Sequence, residues 1–369
     1  MNRPTLIFSG MIAATPGQGG ATWAVLQYLL GFRALGWDVW FVEPAQPDGA
    51  AYCEAVMRQF GFDDRWVLVG PDGGIHGCTR NELDRAAGRA DVLVNVSGML
   101  TDPHVLDRVP TRVYLDLDPT FVQLWHAVEG VDMRFDAHTQ FVTIADTVGA
   151  PESPIPACGR SWISTLPPVV LDEWPVAERL DHDALTTVAH WRGYGSIHHD
   201  GVHYGQKAHS LRPLLDLPTR TPARFLLALG IHPDETADLD ALDANGWERV
   251  DPATVAATPD DYRRFVAGSK AELGIAKQGY IVSNSGWFSD RSACYLASGR
   301  PVVAQDTGFG RRLPTGKGLF AFRDADDAVA AIDELNGDYE RHRAAAREIA
   351  ETYLDARIVL RSLLERVLG

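Results

Sequence analysis

The chain reads as an α/β protein of two domains, each a parallel sheet with helices on both faces. Three observations carry this. The 369 residues exceed one ordinary domain. Both halves alternate short β-rich runs with helical patterns, the signature of strand–helix–strand units. Between the halves lies a stretch punctuated by Pro151, Pro154, Pro156, Pro167, Pro168 and Pro175, which breaks elements and stiffens a crossing.

In the first half, Thr5–Ser9 is a buried strand. The turn Thr15-Pro16-Gly17-Gln18-Gly19-Gly20 leads into a helix over Ala21–Leu35, with Trp23, Leu26, Gln27, Leu30 and Ala34 at helical spacing and Gly36 as its stop. Strands follow at Trp37–Val42, Trp66–Val69, Val92–Val96, Arg112–Leu117 and Phe141–Ala145. In the second half the expected strands are Thr186–Ala189, Arg224–Leu229, Trp247–Val250, Tyr280–Ser283 and Pro301–Ala304. The expected helices are Glu235–Ala244, Asp260–Gly268, Arg291–Ala297 and Ala325–Leu335. The tail Asp338–Leu368 is charged and helical, with a break near Tyr353–Asp355. The expected units are a first domain at 1–165, a linker at 166–184, a second domain at 185–337 and C-terminal helices at 338–369.

Composition narrows the function. With 34 Lys+Arg against 49 Asp+Glu, the net charge is −15, which repels nucleic-acid backbones and anionic membranes. No apolar run approaches a transmembrane span, and Thr5–Ser9 is too short for a signal-peptide core, so a cytoplasmic protein is expected. Cys53, Cys78, Cys158 and Cys294 form no paired motif, which argues against a zinc ribbon or a disulfide framework.

Four features carry candidate chemistry. Gly17, Gly19 and Gly20 stand between a strand and a helix N-terminus, where backbone amides receive anions; a tight turn explains them equally. Asp116 and Asp118 alternate at a strand end and share a face, placing either as a base or a hydroxyl ligand, unless Asp118 only caps the next helix. His190, His198, His199, His203 and His209 cluster in a Gly-rich stretch whose spacing suits a polar cleft better than a metal site, and no metal is expected. The fourth stretch is the most specific: Ser285, Gly286, Asp290, Arg291 and Ser292 in a polar loop entering a helix, then a Gly299-Arg300-Pro301 turn, a strand, and a loop with Thr307 and Gly308. Such a loop delivers a diphosphate to a helix N-terminus.

Taken in order, these features resemble the GT-B glycosyltransferases, and most of all the glycogen-synthase-like branch with a Glu-x7-Glu motif. Gly19-Gly20 is similar to the branch's N-terminal Gly-Gly loop. Asp116–Pro119 falls where it often has His-Asp. Leu296-Ala297-Ser298-Gly299-Arg300-Pro301-Val302-Val303 resembles its Met-Ala-x-Gly-x-Pro-Val-Val segment, and Thr307-Gly308 its next Gly loop. The departure is that Gly286 and Cys294 occupy the two glutamate positions.

The resemblance implies GT-B architecture, two Rossmann-like domains facing a central cleft, with the last helix crossing back onto the first domain. It implies transfer of a sugar, hexosyl or related, from a nucleotide-diphosphate donor to a small-molecule or glycan acceptor, without a cofactor or metal and with retention. Donor binding would fall to Arg192, Lys207, Ser285, Gly286, Asp290, Arg291, Ser292, Thr307 and Gly308. The acceptor and phosphate loop would be Gly17, Gly19 and Gly20. If the enzyme inverts, Asp116, Asp118 or His138 is the candidate base. The missing glutamates leave open a non-catalytic nucleotide- or glycan-binding partner protein, and a nucleotide-sugar epimerase shares the fold. Neither half has the glycine fingerprint of a dinucleotide oxidoreductase.

Overall fold

The computed structural model describes residues 3–369, so the first two residues of the 1–165 unit lie outside the described residues. The first domain is built on eight strands: β1 (Thr5–Ser9), β2 (Asp38–Pro44), β3 (Trp66–Val69), β4 (Ile75–Gly77), β5 (Ala90–Val96), β6 (Thr111–Asp116), β7 (Gln140–Thr143) and β8 (Trp162–Ser164). Their order is β4-β3-β2-β1-β5-β6-β7-β8. All neighbours are parallel except the edge pair β3–β4. The inner strands are mostly apolar and buried, as a sheet covered on both faces demands.

The second domain starts with β9 (His182–His190). A short antiparallel hairpin follows, β10 (Ile197–His199) with β11 (Val202–Tyr204). Then come β12 (Phe225–Gly230), β13 (Glu248–Val250), β14 (Ser269–Gly274), β15 (Val302–Gln305) and β16 (Leu319–Phe322). The six-stranded sheet has the order β13-β12-β9-β14-β15-β16 and is parallel throughout.

One expected strand is a helix. Tyr280–Ser283 is β-rich in composition but lies in the Gln278–Val282 helix, and the strand in its place is β14. Lys270 and Glu272 interrupt the apolar run of β14 and hide it from pattern reading. Glu272 is tolerated at full burial because Arg291 Nε donates to it at 2.5 Å.

The two domains share a continuous core. Trp23, on the first long helix (Gly19–Ala34), packs edge-on against Phe60 and against Trp174 of the crossing segment, and its Nε1 donates to the Pro259 carbonyl at 2.8 Å. The last helix, Ala356–Leu368, lies on the same long helix. There a Cβ at Gly31 would overlap Leu360. It follows a π-helical turn at Ala350–Leu354, and Asp355 restarts it by accepting the Arg357 amide at 2.8 Å. Asp355 also pairs with Val169 of the crossing segment.

The carboxyl ends of the two sheets face one another. The loop after β1 meets the end of β9 through Gln18 and His190 (3.3 Å), the segment after β6 meets that after β14 through Asp118 and Lys277 (2.8 Å), and the segment after β7 meets the Ser285 carbonyl through the Asp146 amide (2.9 Å). Ligands in open α/β sheets bind at such ends.

Candidate functional site

A cavity of about 200 Å³ opens between the domains. Gly17, Gln18, Gly20 and Ala21 line it from the first domain; His190, Tyr262, Asp290 and Arg291 line it from the second. Its first wall is the N-terminus of the Gly19–Ala34 helix. The Gly19 amide donates to the Ala256 carbonyl at 2.7 Å and the Thr22 amide to the Gln18 carbonyl at 3.0 Å. The Gly20 and Ala21 amides have no backbone acceptor among the described residues, so two donors and the positive end of a long helix dipole meet the cavity.

The glycines there serve two masters. Gly17 has φ +76 with open space where a Cβ would stand. At Gly19 a Cβ would overlap the Thr258 carbonyl, and at Gly20 it would press on the Tyr262 ring. The close approach expected at Gly19-Gly20 is therefore made by the second domain's own chain.

The opposite wall begins with Ser289, whose Oγ accepts the Arg291 amide at 3.2 Å and caps the Asp290–Ala297 helix. Asp290 follows this cap. Asp290 is the first helical residue, and its partly buried carboxyl is pushed upward by burial, against the pull of Arg291, its own and the next backbone amides, and Lys207. Arg291 is 8% exposed. Its Nε is spent on Glu272 and its Nη1 on the Val188 carbonyl (3.0 Å), which leaves Nη2 without a hydrogen-bond partner among the described residues, in a side chain that lines the cavity. Ser292 is buried on the same turn.

Lys207 starts the Lys207–Leu211 helix and is partly buried, with no ion-pair or hydrogen-bond partner for its amine among the described residues. Burial, then the neighbouring charges of Arg291 and Lys277, bring its pKa down to about 7. Its charge in turn helps burial lower the pKa of His190. An amine with no direct ion-pair partner among the described residues, near a buried guanidinium, with two unpartnered helix-terminal amides lining the cavity that guanidinium also lines, is suited to an anion.

Other residues singled out above are occupied differently. Arg192 is ion-paired with Glu235 away from the cavity lining. Ser285 and Thr307 are buried and hold the polar loop: the Trp287 amide donates to Ser285 Oγ at 3.3 Å, and Thr307 Oγ1 donates to the Trp287 carbonyl at 2.5 Å. Gly286 and Gly308 have positive φ and adjoin Arg311 in that loop. Cys294 is buried against Gln27 of the first domain, at 3.5 Å.

The candidate bases are not free in the cleft. Asp116 is fully buried; Gln123 Nε2, Thr143 Oγ1 (both 2.8 Å) and the Asp118 amide (2.9 Å) saturate it, and burial raises its pKa to about 7. His138 bridges Asn95 Nδ2 (3.0 Å) and the Arg134 carbonyl (2.9 Å), and burial lowers its pKa to about 4. Both are structural corrections to the expected roles. Asp118 does reach the domain boundary, but Tyr194 (2.6 Å), Lys277 (2.8 Å) and Tyr280 all donate to it. Thr120, not Asp118, caps the following helix. Lys277, Tyr194 and Asp146 were invisible in the sequence, since their partners lie in the other domain.

Asp116→Asn would turn an amide N–H₂ toward donors. We expect a loss of about 1–3 kcal/mol of stability by denaturant unfolding, with turnover per folded molecule unchanged.

A groove of about 920 Å³ adjoins the cavity across Pro16. Ala13, Pro44, Ala45, Val69, Met99 and Leu100 are among its apolar lining, at the ends of β1, β2, β3 and β5; Arg80, Asp102 and Arg134 add charge. Among the described residues no group of three His, Cys, Asp or Glu is arranged to hold a metal ion, and no helix is long and apolar enough to cross a membrane. The histidine cluster is the β10–β11 hairpin, where His203 and His198 pair at 2.8 Å.

Residues 221–366 match the protein family described as glycosyl transferase-like. No curated protein sequence matches the chain. Among solved structures, an alpha-glucosyltransferase in complex with UDP and a 13-mer DNA containing an A:G mismatch aligns at TM-score 0.62 and 11% identity, over 100% of both chains. Anabaena Alr3699/HepE in complex with UDP and glucose aligns at 0.62 and 11%, over 99% of this chain and 100% of that one. Sucrose-phosphate synthase from Thermosynechococcus elongatus aligns at 0.54 and 11%, over 99% of each. The fold is GT-B, and the family match lies in its second half.

Proposed function

We propose that this chain transfers a sugar from a nucleoside-diphosphate donor, a UDP-sugar first among those to test, to a small-molecule or glycan acceptor held in the first domain's groove. The observation that carries the reading is the inter-domain cavity lined by Arg291 and by Gly20 and Ala21, whose amides have no backbone acceptor among the described residues, with Lys207 near enough to Arg291 and Asp290 to feel their charge. That is where a diphosphate gains charge as it departs, and fixed donors there stabilise the transition state selectively. The cavity takes the diphosphate; the nucleoside and sugar extend from it along the cleft. In this reading Asp290, which lines the cavity, accepts a donor sugar hydroxyl.

The acceptor oxygen attacks the anomeric carbon as the bond to the diphosphate breaks. Asp116 and His138 are locked away and Asp118 is saturated by three donors, so the departing diphosphate oxygen is the base at hand. It takes the acceptor proton from the face it leaves, which favours retention. Lys207 and Arg291 supply the positive charge this step needs without a metal ion.

The test is incubation of the purified protein with UDP-, ADP-, GDP- and dTDP-sugars and an acceptor panel, with and without EDTA. Release of nucleoside diphosphate coupled to glycoside formation is the expected result. Tight nucleotide binding without turnover would assign a non-catalytic binding role, and isomerised donor without acceptor an epimerase.

A further inference from the structure

Position 286 leaves no room for a side chain, and what fills that room comes from the other domain. Gly286 has φ +78, and a Cβ there would overlap the carboxylate of Asp146, on the segment after β7. Asp146 is held bidentately by Arg311 of the second domain, Nη2 to Oδ1 at 2.7 Å and Nε to Oδ2 at 3.0 Å. The same guanidinium holds Asn284, donating to its side-chain oxygen at 3.2 Å and its carbonyl at 2.9 Å. Asn284 sits in the left-handed region, φ 48, a conformation costly enough to need such support. The Asp146 amide donates to the Ser285 carbonyl at 2.9 Å, and Thr147 Oγ1 to the Asn284 carbonyl at 3.5 Å. Gly308 completes the nest, since a Cβ there would overlap Arg311 and Asn284.

The loop gripped in this way runs straight into Ser289, Asp290 and Arg291. We infer that Asp146 is a positioning residue: from the first domain it holds the Asn284–Trp287 loop of the second and so aligns Asp290 and Arg291 with the donor. This rests on the reading of the cavity as a donor site. It also accounts for the glycine at 286: a carboxylate from the other domain occupies the place a side chain would take.

The experiment measures affinity by calorimetry for whichever of UDP, ADP, GDP and dTDP the wild type binds most tightly. Asp146→Asn and Arg311→Met are each expected to weaken binding at least tenfold. The double variant should be no weaker than the worse single one, because the pair acts as a unit. Gly286→Ala, which leaves both charges in place but fills their seat, should reproduce the loss. Variants that lose thermal stability yet bind with wild-type affinity would reduce Asp146 to a stabilising contact and overturn the inference. Failure of the wild type to bind any of the four would instead overturn the donor reading itself, and the assigned role with it.

Discussion

Lys207→Ala is expected to lose roughly 10- to 150-fold in nucleoside-diphosphate affinity and in turnover while remaining folded. One charge-assisted contact to a phosphate is worth about 1.5–3 kcal/mol, and no partner residue is orphaned by the change. The pH dependence separates this from a general loss of fit. In the free protein the amine titrates near 7, far below its unfolded value, and a bound diphosphate favours its charged form. Binding therefore takes up a proton above pH 7, and affinity falls with rising pH by up to tenfold per unit until the bound amine titrates. Lys207→Ala should flatten that slope. The same shift has a stability signature. Between the folded and unfolded pKa values the unfolded chain binds more protons, so this group makes the free protein more stable as pH rises from about 7 toward 10. Calorimetric titrations across pH 6–9 check the first effect and denaturant unfolding the second. Equal slopes in wild type and variant would remove Lys207 from the site.

The second large effect is on the fold beneath the site. Arg291→Met leaves Glu272 fully buried without its cation, and one Glu272 oxygen already lacks a hydrogen-bond partner. Breaking a buried pair from one side costs about 3–5 kcal/mol. Replacing both, as Glu272→Leu with Arg291→Met, should recover most of that stability, since an apolar pair of similar volume suits the site. The double variant should still bind nucleoside diphosphate weakly, because the cavity has lost its guanidinium. Unfolding measurements on the three variants check the first statement and calorimetry the second. A double variant that binds like wild type would make Arg291 a structural residue only.

What the sequence disclosed, and what it hid, follows from range. The Gly17–Gly20 turn, the Ser289–Ser292 helix entry and Lys207 are local signals, and the fold brings Gly17, Gly20, Asp290 and Arg291 to one cavity with Lys207 beside it. Gly19 and Gly20 were legible as points of close approach, but the approaching group is Thr258 and Tyr262, more than two hundred residues away. The same range hid the Asp118–Lys277 and Asp146–Arg311 pairs, each closed only when two sheets face one another. Strand β14 escaped notice because Glu272 is an acid in a core, intelligible once Arg291 is beside it. Tyr280 and Ser283 read as strand by composition. Yet Tyr280 serves the first domain from a helix through Asp118, and Ser283 does so through Thr120 at 2.8 Å. Asp116 and His138 had the residue types of catalysts, and only burial shows that their hydrogen bonds are already spent.

The central claim is that one diphosphate bridges the N-terminus of the first domain's long helix and the Lys207–Arg291 cations of the second. Backbone hydrogen exchange of the protein with and without saturating nucleoside diphosphate tests it most directly. The account predicts slowed exchange in both Gly17–Thr22 and Ser289–Ala293, with the Gly20 and Ala21 amides among the most protected. Protection confined to the first domain's groove, or to one domain alone, would contradict it.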